Sequence, residues 1–322
     1  MSASAAPGAI ATRGLTKRYR IDTALDALDL EVPAGCIFGF LGPNGAGKTT
    51  TLRLLTGLAR PTAGSATVAG IDVATGGRAL AERIGALDQD PRYYSWMTGP
   101  ELLAFVGRLY GLDGPGLQAR VGEVLETIGL AHEGKKRIGG YSGGMRQRLG
   151  IGQAMLPRPS VLFLDEPVSS LDPAGRRDVL ELIGRLRGTC TVFMSTHILN
   201  DVERVCDRVG ILNHGRLVTE APMEELLASH ARPILEIEPE AGEPVPAVDA
   251  LAARLRGAAW TRDVVATSDL LRVFLSDPAA AAAEALQLVA ASGVNVARFE
   301  RVRPTLEDVF LQLVGTTGEV RA

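Results

Sequence analysis

Three short stretches bring phosphate-handling groups together at defined spacing. Gly42, Pro43, Asn44, Gly45, Ala46, Gly47, Lys48, Thr49 and Thr50 read GPNGAGKTT, a match to GxxxxGK[ST]. The match lies between an apolar run, CIFGFLG (36–42), and a helical stretch, TTTLRLLTGL. Glycines in such a loop let backbone N–H groups wrap a phosphate chain, and the helix start that follows adds its positive dipole end. Lys48 supplies a point charge for β/γ oxygens, and Thr49 is placed to ligate Mg2+. The second stretch, VLFLDEP, supplies acids: Asp165 at the end of an apolar run to hold the metal, and Glu166 to orient or deprotonate a water attacking a γ-phosphate. In the third, YSGGM, Ser142 and the N–H groups of Gly143 and Gly144 head another helix and make a second anion site.

Elements of a definite kind must hold these groups. CIFGFLG, SVLFLD (160–165) and CTVFMST (190–196) are continuous apolar runs of strand length, as strands buried on both faces require. Each ends in polar residues, and the strand ends are where open α/β sheets hold ligands. From about Ala9 to Leu226 strands alternate with helices, so a largely parallel sheet covered on both faces is expected. TGPELLAFVGRLYG opens a helix with Thr98 as N-cap, Pro100 in the first turn and Glu101 closing a capping box. Leu102, Phe105, Val106 and Leu109 then repeat at helical spacing and are expected to form a core face.

After about His230 the texture changes to ARPILEIEPEAGEPVPAV, rich in Pro and Glu, which marks a boundary. The remainder reads β (234–238), α (about 248–256), β (260–266), β (270–275), α (278–291), β (294–302) and a final helix from Thr305. The order βαββαβ predicts a small α+β ferredoxin-like domain with one helix appended. In that last helix Thr305 and Asp308 make a capping box, with Leu306, Val309, Phe310 and Leu313 on one face. The resulting division is a tail at 1–8, a nucleotide-binding domain at 9–226, a linker at 227–233 and an accessory domain at 234–322.

The formal net charge of −3 gives no basic field to collect nucleic acid. Cys36, Cys190 and Cys206 are odd in number and far apart, so they read as reduced core thiols and not as a metal or disulfide framework. MSASAAPGAIATRG does not look like a signal peptide, and no apolar segment approaches the ~18 to 20 residues needed to span a bilayer.

Over about residues 9–226 the motifs together resemble the ATP-binding cassette ATPases, which implies a P-loop NTPase fold with a helical subdomain. GPNGAGKTT is similar to Walker A, Gln89 in LDQDP to the Q-loop, YSGGM to the signature, VLFLDEP to Walker B, SSLD to the D-loop and STH to the switch histidine. Ser142 stands 23 residues before Asp165, and a histidine follows on the next strand, a specific combination. The resemblance implies ATP and Mg2+ as cofactors and a dimer in which each nucleotide lies between one chain's P-loop and the other chain's Ser142, Gly143 and Gly144. It also implies that Tyr19 in TKRYR stacks on adenine and that His197 contacts the γ-phosphate and steadies Glu166. Gln89 would sense the γ-phosphate through Mg2+ or the water and connect it to a membrane subunit, and Asp172 would line the subunit interface. His132, His214 and His230 match no motif and read as surface or turn residues. Met145, Asp88 and Ser170 depart from the commonest family pattern, where Gln, Pro and Gly are frequent; none removes a phosphate or metal group, though Asp88 and Asp90 add negative charge around Gln89.

YSWMTGPELLAFVGRLYGL, YSGGMRQRL and RPTLEDVFLQLVG further resemble bacterial exporters of drugs, lipids, polysaccharides or ions, typified by the daunorubicin-resistance ATPases. That resemblance implies a separately encoded permease and a cytoplasmic position, peripheral on the inner face of the membrane. A soluble, non-transport cassette ATPase and an importer ATPase with a regulatory C-terminal domain are the alternatives.

Overall fold

A computed structural model of the chain describes residues 8–229, 233–267, 269–302 and 305–318. The expected tail and much of the expected linker fall on residues 1–7 and 230–232, outside the described residues, as does His230. The chain divides into two compact units between Met223 and Glu224.

In the first unit β1 (Ile10–Tyr19) and β2 (Asp22–Val32) form a hairpin. Strand β3 (Ile37–Leu41) is buried along its whole length and feeds α1 (Lys48–Leu55). β4 (Ala63–Val68) and β5 (Ile71–Asp72) return to the hairpin, and α2 (Gly77–Ala81) leads into β6 (Ile84–Leu87). A helical layer follows, α3 (Gly99–Leu109), α4 (Gly114–Thr127) and α5 (Gly143–Met155). The chain then alternates through β7 (Val161–Asp165), α6 (Pro173–Arg185), β8 (Thr191–Thr196), α7 (Leu199–Val205), β9 (Arg208–Asn213) and β10 (Arg216–Pro222), and α8 (Met223–Ser229) begins at the boundary between the units.

The expected parallel sheet is present, with strand order β10-β9-β3-β8-β7-β6 and every pair parallel except β10 with β9. Its centre is aromatic: Phe193 lies 5.4, 5.2 and 5.7 Å, centroid to centroid, from Phe38, Phe40 and Phe163, so rings from three adjacent strands interlock. A second sheet departs from the sequence expectation. β2-β1-β4-β5 is wholly antiparallel. Leu28, Leu30 and Val32 are buried while Asp29 and Glu31 face out, the alternation of a strand with one wet face and not of a doubly covered one.

Helix α3 keeps its expected start, with the Thr98 side chain accepting from the Glu101 N–H and the Glu101 carboxylate accepting from the Thr98 N–H at 2.8 Å. The expected apolar face does not bury as a whole. Leu102 and Leu103 are in the core, but Phe105 is 40% exposed and Leu109 72%. The buried line turns toward Gly107, whose lack of a side chain makes room for Leu117 of α4, and this carries Phe105 and Leu109 to the outside.

The second unit runs β11 (Ile234–Pro239), α9 (Val245–Arg256), β12 (Thr261–Ala266), β13 (Leu271–Leu275), α10 (Pro278–Ala290), β14 (Val296–Val302) and α11 (Leu306–Gly318). Its antiparallel order, β12-β13-β11-β14, is that of the ferredoxin-like plan. Leu235, Ile237, Leu251, Leu255, Trp260 and Val273 fill the core. At the start of α11 Asp308 accepts from the Thr305 N–H at 2.8 Å, and the same carboxylate takes both ends of the Arg272 guanidinium from β13. The cap therefore also ties the last helix to the sheet. Leu306 and Val309 are fully buried, whereas Phe310 and Leu313 are half-buried.

Candidate functional site

Half of the turn from β3 into α1, residues 42–47, is glycine, which leaves much of its backbone uncovered. Gly47 caps α1 at φ +109°, a left-handed conformation, and a methyl there would collide with the Ala24 carbonyl. No side chain caps α1, and its first turn holds no acid, so the leading N–H groups remain available to an anion. The turn is braced from a distance: the Gly215 N–H, between β9 and β10, donates to the Ala46 carbonyl at 2.9 Å, and the Asp26 N–H of β2 donates to the Gly215 carbonyl at 2.8 Å. Lys48 folds back, its ammonium donating to the Gly42 carbonyl at 2.7 Å and the Pro43 carbonyl at 3.2 Å, 3.6 Å from the Glu166 carboxylate. Burial pushes the pKa of this ammonium down, and Glu166 and Asp165 partly restore it.

Asp165 ends β7, is buried, and accepts a short hydrogen bond from the Ser195 hydroxyl on β8. Glu166 leaves the strand at φ +49° with only 6% of its surface exposed. Its N–H donates to the Ser195 carbonyl at 3.0 Å. His197, just past β8, sets Nδ1 3.0 and 2.9 Å from the two Glu166 carboxylate oxygens, a contact in which an ionised Glu166 accepts from the Nδ1–H tautomer. A non-glycine residue held left-handed at a strand tip stores local strain of the kind found where side-chain aim matters.

A cleft of about 350 Å³ gathers Asn44, Gly45, Ala46, Gly47, Lys48, Thr49, Thr50, Gln89, Glu166 and His197, with Ala24 of β2. Gly42 and Pro43 stand behind it and hold Lys48 by their carbonyls. Of the donors assigned to a metal, the Thr49 hydroxyl and the Gln89 amide oxygen belong to residues that line the cleft, whereas Asp165 does not line it and is held by Ser195; all three donors are oxygens and suit a hard ion such as Mg2+, which keeps part of its water shell.

Tyr19, Ser142, Gly143, Gly144 and Asp172 are not among the cleft's walls. Tyr19 closes β1, 44% exposed, with the Lys17 ammonium 5.0 Å from its ring centroid. Ser142 caps α5, its hydroxyl accepting from the Met145 N–H at 3.2 Å, and the first turn of α5 also lacks acids. Asp172 is the N-cap residue of α6. Helices α5 and α6 touch at their starts, where a methyl on Gly144 would stand 3.0 Å from the Gly175 Cα. The next residue, Arg176, grips the buried Asp201 of α7 at 2.8 and 3.0 Å. Ser170 stands at φ +62°, where glycine is at ease, so the departure noted in the sequence carries a backbone cost of about 1–2 kcal/mol. His132 lies exposed in a short helical turn and His214 at φ +46° in the β9–β10 turn.

Sequence reasoning did not single out Ser195, Gly175 or Gly215. Ser195 could have been found, since an in-register parallel pairing of VLFLD with TVFMS sets Asp165 opposite Ser195. Gly175 and Gly215 carry no comparable signal.

Residues 25–169 match the family model described as ABC transporter, and residues 222–314 match that of the ATP-binding protein DrrA1-3-like C-terminal domain. The chain is 38% identical over 319 residues to the daunorubicin resistance ATP-binding protein DrrA3 of Streptomyces coeruleorubidus, covering 97% of this chain and 98% of that one. It is 39% identical over 306 residues to the uncharacterized ABC transporter ATP-binding protein YxlF of Bacillus subtilis (strain 168), covering 95% and 99%. Among solved structures, CbiO1 of Clostridium perfringens, described as part of the ABC transporter complex cbiONQ, superposes with a TM-score of 0.64 at 26% identity, over 69% of this chain and 92% of that one. With a cassette ATPase fold, full-length relatives of this kind and a matching C-terminal domain, the chain belongs to the ATP-binding cassette transporter family, as an ATP-hydrolysing ATP-binding protein of the DrrA type.

Proposed function

We propose that this chain is the ATPase subunit of an exporter, acting as a pair of cassettes around two MgATP and driving a separately encoded membrane permease. The observation that carries the hydrolytic part is the Glu166 carboxylate at the cleft wall, held by His197 Nδ1 and close to Lys48. Glu166 accepts the proton of a water as the water oxygen bonds to the γ-phosphorus; the bond from that phosphorus to the β–γ bridging oxygen breaks, and ADP departs. His197 keeps the carboxylate aimed, and Lys48 with the loop N–H groups balances phosphate charge. Thr49, Gln89 and Asp165 would hold Mg2+, which would supply positive charge to neutralise charge developing on the phosphates. Tyr19 is assigned to the adenine.

Two observations support pairing. One unit has two donor-rich helix starts, α1 and α5, and Ser142, Gly143 and Gly144 are not part of the cleft that holds the base. They are assigned to the partner's nucleotide, with Asp172 beside them at the interface. Mixing tests this: a Ser142→Arg chain and a Lys48→Ala chain, each inactive alone, should regain part of the activity together, because the heterodimer keeps one intact composite site. No recovery where mixed dimers demonstrably form removes the shared-site reading.

Export is supported by the full-length likeness to a daunorubicin resistance protein. No helix among the described residues is long and apolar enough to cross a membrane, so transport through this chain requires another. A docking surface is available: Tyr94, Trp96 and Phe105 are 54, 65 and 40% exposed and form one cluster, Tyr94 lying tilted against Trp96 at 5.9 Å and edge-on to Phe105 at 6.4 Å. Trp96→Ala is expected to weaken permease capture by about 30-fold, the scale of a buried aromatic anchor, while leaving ATP hydrolysis by the isolated chain unchanged. Co-purification with the permease in detergent, and the ATPase rate without it, measure the two. Unchanged capture would move the docking surface elsewhere.

A further inference from the structure

The segment carrying Gln89 leaves β6 at Leu87 and enters the helical layer at Met97. Between them Asp88, Gln89, Asp90, Arg92, Tyr94, Ser95 and Trp96 are all exposed, so nothing in their own burial fixes where Gln89 points. Two side chains of this stretch are taken inside, Leu87 before Gln89 and Tyr93 after it, and both enter the same place on α5. A methyl on the buried Gly150 would lie 2.5 Å from Leu87 Cδ1 and 3.6 Å from Tyr93 Cζ, and would collide with Tyr93 Oη. The missing side chain of Gly150 is therefore a notch filled from both ends of the Gln89 segment.

The Tyr93 hydroxyl is buried there with no hydrogen-bond partner among the described residues, and burial raises the phenol's pKa. An unpaired buried hydroxyl opposes the arrangement electrostatically, so the close packing of that end of the side chain against Gly150 is what keeps Tyr93 seated. We propose that Tyr93 is a positioning residue for Gln89, its hydroxyl end seated in the Gly150 notch of α5 with the ring behind it, so that Gln89 faces the cleft. The proposal rests on the reading of Gln89 as a group acting at the γ-phosphate.

A double-mutant cycle on the full chain tests it, with ATP hydrolysis, ATP affinity and melting temperature measured for each variant. Tyr93→Ala is expected to lower kcat about 10- to 100-fold, the scale of a displaced positioning group, with the Kd for ATP within about twofold because the phosphate loop is untouched. Tyr93→Phe loses the unpartnered hydroxyl that fills the notch but keeps the ring, whose Cζ lies in ordinary contact with it, so its rate should fall much less than that of Tyr93→Ala. In a Gln89→Ala background, itself slow, Tyr93→Ala should add no more than about a twofold loss. Should Tyr93→Ala melt below the assay temperature, Tyr93→Leu takes its place in the cycle. A full-sized extra loss on top of Gln89→Ala, or a Tyr93→Phe chain as slow as Tyr93→Ala, overturns the proposal while leaving Gln89 in its role. A Gln89→Ala chain hydrolysing at the wild-type rate instead removes the reading of Gln89, and no Tyr93 variant is needed to see it.

Discussion

The Glu166→Gln chain is expected to bind MgATP and hydrolyse it about 10² to 10⁴ times more slowly than the wild type, the usual worth of a general base. The amide keeps the size of the carboxylate, can still accept the His197 Nδ1 proton, and occupies the same left-handed backbone position. What it cannot do is take a proton from water. Lys48 loses an anion 3.6 Å away but keeps the Gly42 and Pro43 carbonyls, so the loop is not left with an orphaned cation. Because each nucleotide would then persist, the variant should collect as an ATP-bound dimer. Phosphate release under single-turnover conditions gives the rate, and size-exclusion chromatography with and without MgATP gives the dimer. A wild-type rate would rule out Glu166 as the base.

The Lys48→Ala chain should fail one step earlier. Lys48 is 7% exposed and already desolvated, so its charge is little screened when a triphosphate arrives. Truncating one partner of such a charge-assisted contact typically costs about 2–5 kcal/mol, or roughly 30- to 5,000-fold in affinity. Titration calorimetry with MgATP measures it, and a thermal melt of the ligand-free chain checks that the fold survives. Affinity within about threefold of wild type would show that the N–H groups of the loop hold the phosphates unaided, against the role given to Lys48.

The central strands were legible because 36–41, 161–165 and 191–196 are unbroken apolar runs, which suit only strands covered on both faces. The ferredoxin-like unit was legible from element order, since βαββαβ admits few topologies. The antiparallel sheet was missed because register shifts between Thr12 and Lys17 blur the alternation of β1. The outward turn of Phe105 and Leu109 was missed for another reason: helical spacing tells which residues share a face, but Gly107 decides which face the neighbours take. Local motifs brought the P-loop, Glu166 and His197 to attention. The contacts that aim them, Ser195 to Asp165, Gly215 to Ala46 and Tyr93 to Gly150, join residues far apart or depend on a missing side chain, and neither leaves a local pattern.

The order of strands in the parallel sheet also sets a timetable. β3, which feeds the phosphate loop, lies between β8 and β9, pairing Ile37 with Val192 and Phe38 with Arg208. Those partners leave the ribosome about 155 and 170 residues later, and the Gly215 turn that braces the loop later still, so β3 emerges long before it can pair. At synthesis speeds of about 5–20 residues per second the apolar stretch from Cys36 to Leu41 waits roughly ten to thirty seconds unpaired. Nucleotide affinity is therefore acquired late in translation. The N-terminal hairpin, by contrast, can close within its first 32 residues. Slowing the ribosome between residues 60 and 190 lengthens the interval in which β3 waits for both partners.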